Sequence, residues 1–188
     1  MKTGSIDCVK NRIENIIRKS KVPEDPVHSK NMLEWVLKLK PNADIALQIA
    51  ALGHDVERAV EDRKVKRKDF ESYDEFKKTH AVSSARILEK IMVDCGVNGD
   101  LIEDVRSLVT HHEAGGDDRS NILREADSLS FLDVNLPHYF TRNSVEETRK
   151  RVLWSYRKLS DSSKRTASKF TYSNKELDAL VRRCVENT

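Results

Sequence analysis

The sequence is poor in the residues that punctuate strand-rich and fibrous folds. It has 6 Gly and 4 Pro in 188 residues. That is too few for the turns of a many-stranded sandwich, or for a collagen-like or proline-rich fibre. Cysteine is scarcer still. Cys8, Cys95 and Cys184 lie far apart, form no C-x-x-C pair and are odd in number. This argues against a disulfide framework or a thiolate zinc site, and fits a reducing cytoplasm. No run approaches the roughly 18 apolar residues of a membrane span, and Met1–Asp7 carries an acid without an apolar stretch, so neither a signal peptide nor a membrane helix is expected. Charge of one sign is not in excess: 34 Lys/Arg face 31 Asp/Glu, a net +3 that demands no polyanionic partner. G-x-S-x-G, Walker A and G-x-G-x-x-G motifs are absent, which leaves serine hydrolases, P-loop enzymes and dinucleotide-binding dehydrogenases without a foothold.

What remains is helical. The chain is 38% hydrophobic and 35% charged, a mixture that suits amphipathic helices with one solvated face. Ile6, Val9, Ile13, Ile16 and Ile17 mark a first helix. Pro26 then opens a second that carries His28, Met32, Trp35 and Leu39 and stops before Pro41. A third, rich in small residues, runs from about Asn42 to His54. After a charged stretch at 61–72, Ser72 with Glu75 opens a long helix to Cys95, with Gly96 as its stop. Asp100 with Glu103 repeats the signal, Ser120 to Leu136 reads as one helix closed by Pro137, and Ser144/Glu147 and Ser173/Glu176 open two more. No strand alternation or repeat is present, and the fold class is all-α. The expected organisation is one domain over 1–188, with a core at about 26–136 and a helical extension from 137. From Arg142 onward, 12 Lys/Arg stand against 6 Asp/Glu. A solvated outer face explains this excess, and a rim for anionic substrates or nucleic acid is the alternative. A recognition helix and an aromatic RNA-binding run are both missing.

Five of the six histidines fall between positions 28 and 112, each on a stripe with apolar or small neighbours. One such imidazole is ordinarily a packed core residue. Asp127, on a stripe with Leu123, Ser130 and Val134, is costlier, because a carboxylate turned to a core needs a cation or several donors. Imidazoles and carboxylates converging from separate helices are how helical bundles hold metals. Such a donor set suits Fe, Mn, Ni, Co or Zn, with Mg also conceivable.

The ordered series DPVHSKNML, AALGHDVER, KKTHAVSSARIL, LVTHHEAGG and LREADSLSFLD resembles the HD-domain superfamily of metal-dependent phosphohydrolases. The resemblance covers about residues 26–136. It implies a helical bundle of the HD type in which His28, His54, Asp55 and Asp127 hold one metal, and His80 and His111 join a bridging Asp55 around a second. It leaves His112 to the substrate or to the support of the ligands. Arg58 occupies the place where related cyclic-dinucleotide phosphodiesterases carry a phosphate-contacting lysine, although a salt bridge is an equal reading of it. The sequence departs from those enzymes after the histidine pair, where Ala114-Gly115-Gly116 replaces their Gly-Tyr-Pro. The implied activity is hydrolysis of a small phosphomonoester or phosphodiester, nucleotide-like, by a metal-activated hydroxide. Catalysis would rest on Asp55, His112 and Arg58, and Lys64, Lys66, Arg67 and Lys68 would steady the anion. A mixed-valence di-iron oxygenase of the same superfamily would use the same ligand types. A non-catalytic regulatory or nucleic-acid-binding module is the third reading.

Overall fold

The computed structural model describes residues 3–186, with the side chains of all of these but Thr3 and Arg63. Met1 and Lys2, part of the N-terminal stretch read above, lie outside the described residues. All regular structure among the described residues is helical, and no helix there is long and apolar enough to cross a membrane. The chain divides into two compact units, Met1–Arg124 and Glu125–Thr188.

The first unit contains α1 (Thr3–Ile17), α2 (Asp25–Leu39), α3 (Ile45–Gly53), α4 (Tyr73–Asp94) and α5 (Gly99–His111). Three 3₁₀ turns, Val56–Ala59, Glu61–Arg63 and Arg67–Asp69, fill the charged stretch between α3 and α4. The buried stripe of α1 is Ile6, Val9, Ile13 and Ile17, spaced as one face of a 3.6-residue helix. Pro26 sits in the first turn of α2 as expected. Ala46, Ala50 and Ala51 are buried on α3, where small side chains let α2 and α5 approach it closely. Asp44 caps α3 by accepting from the Leu47 N–H at 2.9 Å. Ser72 caps α4 in the same way, from the Glu75 N–H at 3.0 Å. Gly96 then takes a left-handed φ of 68°, ending α4 as the sequence implied. Arg119 pairs with Asp104 at 2.8 Å and with Asp44 at 2.8 Å, tying the cap of α3 to α5.

Several sequence expectations shift. The cap of α5 is Asn98, which accepts from the Leu101 N–H at 3.2 Å, so the helix starts before Asp100. Cys8 and Cys95 are joined in a disulfide with Cα atoms 5.9 Å apart, against the expectation that cysteines so far apart and odd in number form no disulfide framework in a reducing cytoplasm. Their 87-residue separation hid the pairing, which becomes possible because α1 packs on α4. The long helix expected over 120–136 is instead α6 (Asp118–Ser130), a single wide turn at Phe131–Asn135, and α7 (Leu136–Arg142). Pro137 therefore opens α7 rather than closing its predecessor, consistent with the harmless loss of an N–H in a first turn.

The division between units falls inside α6. The second unit continues with α8 (Val145–Arg157), α9 (Asp161–Ala167) and α10 (Lys175–Glu186). Ser144 and Glu147 form the expected reciprocal capping box on α8. Leu177, Leu180, Val181 and Cys184 give α10 a buried stripe that packs on α8. The Tyr172 hydroxyl donates to the Leu132 carbonyl at 2.8 Å.

Gly53 is where packing meets the site. A Cβ on it would lie 2.5 Å from a methyl of Leu88 on α4, and Leu88 is fully buried. Gly53→Ala is therefore expected to force α3 and α4 apart just before the His54-Asp55 doublet, at a cost of about 1–3 kcal/mol. Urea unfolding reads this as a lower midpoint with unchanged slope. An unshifted midpoint would mean that Leu88 finds another rotamer.

Candidate metal centre

Four imidazoles of the first unit are buried: His28, His54, His80 and His112. His28 comes from the first turn of α2 and His80 from the middle of α4. His54 and His112 are the residues that close α3 and α5. Asp55 (φ −107°, ψ 15°) then carries the chain out of α3 into the Val56–Ala59 turn. The doublet thus sits at a helix terminus, and its side chains are free of the 100° divergence that a continuing helix would impose. The carbonyl ends of α3 and α5 carry partial negative charge and favour a cation beside them.

The orientation of each ring follows from its neighbours. His54 turns Nδ1 to the Ala51 carbonyl at 3.0 Å, and His112 turns Nδ1 to the Val109 carbonyl at 2.7 Å. A carbonyl oxygen only accepts, so in both rings Nδ1 carries a proton and Nε2 faces inward. Inside, His54 Nε2 lies 3.2 Å from His28 Nε2 and 3.6 Å from Asp55 Oδ1. His28 Nε2 is 3.9 Å from Asp55 Oδ2. His80 Nε2 is 2.7 Å from Asp55 Oδ1. His112 Nε2 is buried without a hydrogen-bond partner among the described residues. Two groups result, His28–His54–Asp55 and Asp55–His80–His112, each with its donor atoms within 4.8 Å of one another. With its proton on Nδ1, His54 accepts from the His28 Nε2–H, and His80 donates from Nε2 to Asp55, so of these inward nitrogens His112 Nε2 is the one left unpaired; an ion would take the place of these shared protons. A cavity of about 10 Å³, close to the space of one water, borders the first group.

Electrostatics reinforce the donor state of Asp55. Burial pushes its carboxyl upward, but His54, His80 and Arg58 outweigh this and hold it well below the usual carboxylate range. Burial disfavours charge on His80, yet Asp55 and Glu57 raise its pKa above the ordinary imidazole value.

The structure brings together His28, His54, Asp55 and His80 of the residues marked in the sequence. It exchanges the adjacent histidines. His111 is exposed, its Nδ1–H given to the Ser107 carbonyl at 2.8 Å, whereas His112 enters the second group. The reason is helical phase: Val105, Leu108 and Val109 form the buried stripe of α5, and position 112 continues it while 111 is rotated away. Asp127 belongs to the second unit, buried on α6, and is in neither group. Arg58 is engaged at both ends of its guanidinium, with Asp55 at 3.0 Å and Asp25 at 2.9 Å. Lys66, Arg67 and Lys68 are exposed and Lys64 half-buried in the loop of 3₁₀ turns.

A family model described as a domain of unknown function (DUF4202) matches residues 7–181, nearly the whole chain. The chain belongs to the DUF4202 family. No curated protein and no solved structure matches it.

One residue of this DUF4202 chain escaped the sequence reading. Glu57 is 1% exposed. One carboxylate oxygen accepts the His80 Nδ1–H at 2.5 Å, and the other accepts the Val65 N–H. A carboxylate behind an imidazole fixes which nitrogen is protonated and which is left to bind. The available signal was faint: a glutamate two residues past a candidate ligand, with no helical period to show it turned inward. Glu57→Gln is expected to weaken binding at the His80 group by about 10–100-fold and to spare the His28 group. Competition with a chromogenic chelator measures both affinities. Equal affinities in the two proteins would reduce Glu57 to a packing role.

Proposed function

We propose that this chain is a metal-dependent phosphohydrolase of the HD type, acting on a small, nucleotide-like phosphomonoester or phosphodiester. One observation carries the reading: buried imidazole nitrogens converge on a single carboxylate, Asp55, that is common to both ligand groups. Imidazole with carboxylate and no thiolate fits Fe, Mn, Ni, Co or Zn. In this reading His28, His54 and Asp55 hold one ion, and Asp55, His80 and His112 hold the other. Bound ions would supply a water of lowered pKa and a counter-charge for phosphoryl oxygens. Arg58 holds the Asp55 carboxylate in place, with one oxygen toward His28 and the other toward His54 and His80. Its anchor on Asp25 keeps the guanidinium at the edge of the group, where a phosphate would meet a fixed cation. Glu57 accepts the His80 Nδ1–H and so leaves Nε2, the nitrogen on Asp55, as the ligand position of that ring.

The test is release of nitrophenolate from bis-p-nitrophenyl phosphate, and of phosphate from a panel of nucleoside monophosphates, by Mn-, Co- or Fe-loaded protein. The expected result is turnover with at least one ion, abolished by chelation. No release with any ion, together with oxygen consumption by the iron-loaded protein, would overturn the hydrolase reading in favour of the oxygenase.

A further inference from the structure

The outward side of α1 and α4 bears a groove that the metal groups do not use. Its volume is about 440 Å³, within the ~300–1,000 Å³ of small-molecule sites. The floor is apolar: Ile16 of α1, Ile87 and Ile91 of α4, and Val60 beside the turn after Asp55. Ile16 and Ile87 are only half-buried, although each continues an apolar stripe of its helix. Ile16 lies one position off the buried row that ends in Ile17, so its side chain is turned into the groove instead of the core. The rim is cationic. Lys19, Arg86 and Lys90 line it, all exposed and none ion-paired with another described residue. Arg12 and Asp94, 2.9 Å apart, neutralise each other at one end. Asp94 is the one acid of the lining, so three cations are left over an apolar floor. On a concave surface such charges act together on an anion, while the floor takes an apolar body.

We propose that the groove between α1 and α4 binds a free amphipathic phosphate, an apolar chain or ring system bearing one phosphate head. The apolar body lies on Ile16, Ile87 and Val60, and the head meets Lys19, Arg86 and Lys90. A phosphate head suits three cations on one rim better than an uncharged or zwitterionic one, which would leave them unmatched.

The probe is dodecyl phosphate below its micellar concentration, titrated calorimetrically into the full chain. Inorganic phosphate, dodecyl maltoside and phosphatidic-acid vesicles are the comparison arms. Saturable binding of dodecyl phosphate is expected, with inorganic phosphate and dodecyl maltoside each at least about tenfold weaker. The charge-reversed Arg86→Glu/Lys90→Glu protein is expected to lose about tenfold or more in affinity with its metal content intact, since both side chains are exposed and outside the metal groups. Ile87→Asn, a second exposed change, is expected to weaken binding without altering its salt dependence. Three outcomes would overturn the proposal. One is equal binding by the charge-reversed protein, another is equal binding of the maltoside, and the third is binding to vesicles without binding of monomeric dodecyl phosphate.

Discussion

Asp55→Asn is expected to abolish metal binding in both ligand groups at once. The side chain keeps its volume, but the carboxylate is the one donor that the groups share. Changes behind a ligand cost about 10–100-fold in affinity, so loss of the shared ligand itself is expected to exceed about 100-fold at each position. Thermal unfolding gives a second readout. An ion present at 100 times its dissociation constant stabilises a protein by about 2.7 kcal/mol. For a chain of this size that raises the melting temperature by roughly 5–10 °C. The wild-type protein should show this shift on metal addition, and the Asp55→Asn protein should show none. Without metal the substitution has a smaller, separate cost. His80 loses one of its two carboxylate partners and Arg58 keeps only Asp25 as a charged partner, a change of about 1–3 kcal/mol. A metal-dependent shift preserved in Asp55→Asn would remove Asp55 from the ligands.

His112→Ala and His111→Ala should part company despite being neighbours in the chain. His112 is fully buried, with its Nδ1–H on the Val109 carbonyl and its Nε2 turned inward. Its removal opens a cavity, strands a buried carbonyl and takes one ligand from the second group. A stability loss of about 2–4 kcal/mol is expected, with the folded, gel-filtered protein holding metal in the His28 group only. His111 is exposed, and its replacement should stay within about 0.5 kcal/mol and leave metal content unchanged. Elemental analysis of the two proteins side by side gives the answer. The reverse pattern would restore the assignment drawn from family resemblance.

The contrast between these histidines shows what the sequence carried and where it stopped. Periodicity placed the helices and brought His28, His54 and His80 onto apolar stripes, because burial follows helical phase over a long segment. The resemblance supplied the order of the ligands, but order does not say which member of an adjacent pair faces inward. The phase of Val105, Leu108 and Val109 does say so, and it selects His112. Glu57 was invisible because α3 ends at Gly53 and the following 3₁₀ turn has no helical repeat from which to read a buried face. Cys8 and Cys95 give no local sign of pairing, since only the packing of α1 on α4 brings them together. Pro137 was read as a stop because proline ends helices and also begins them. The wide turn at Phe131–Asn135 decides for a beginning.

The central claim is that the imidazoles and Asp55 form a metal centre rather than a packed polar core. Its most direct test is elemental analysis of untagged protein, as isolated and after chelation and reloading, in equivalents per chain. The account predicts one ion for each of the two groups, removed by chelator and regained on reloading. Absence of stoichiometric metal in both preparations, with the chain still folded, would contradict it and return the histidines to the core.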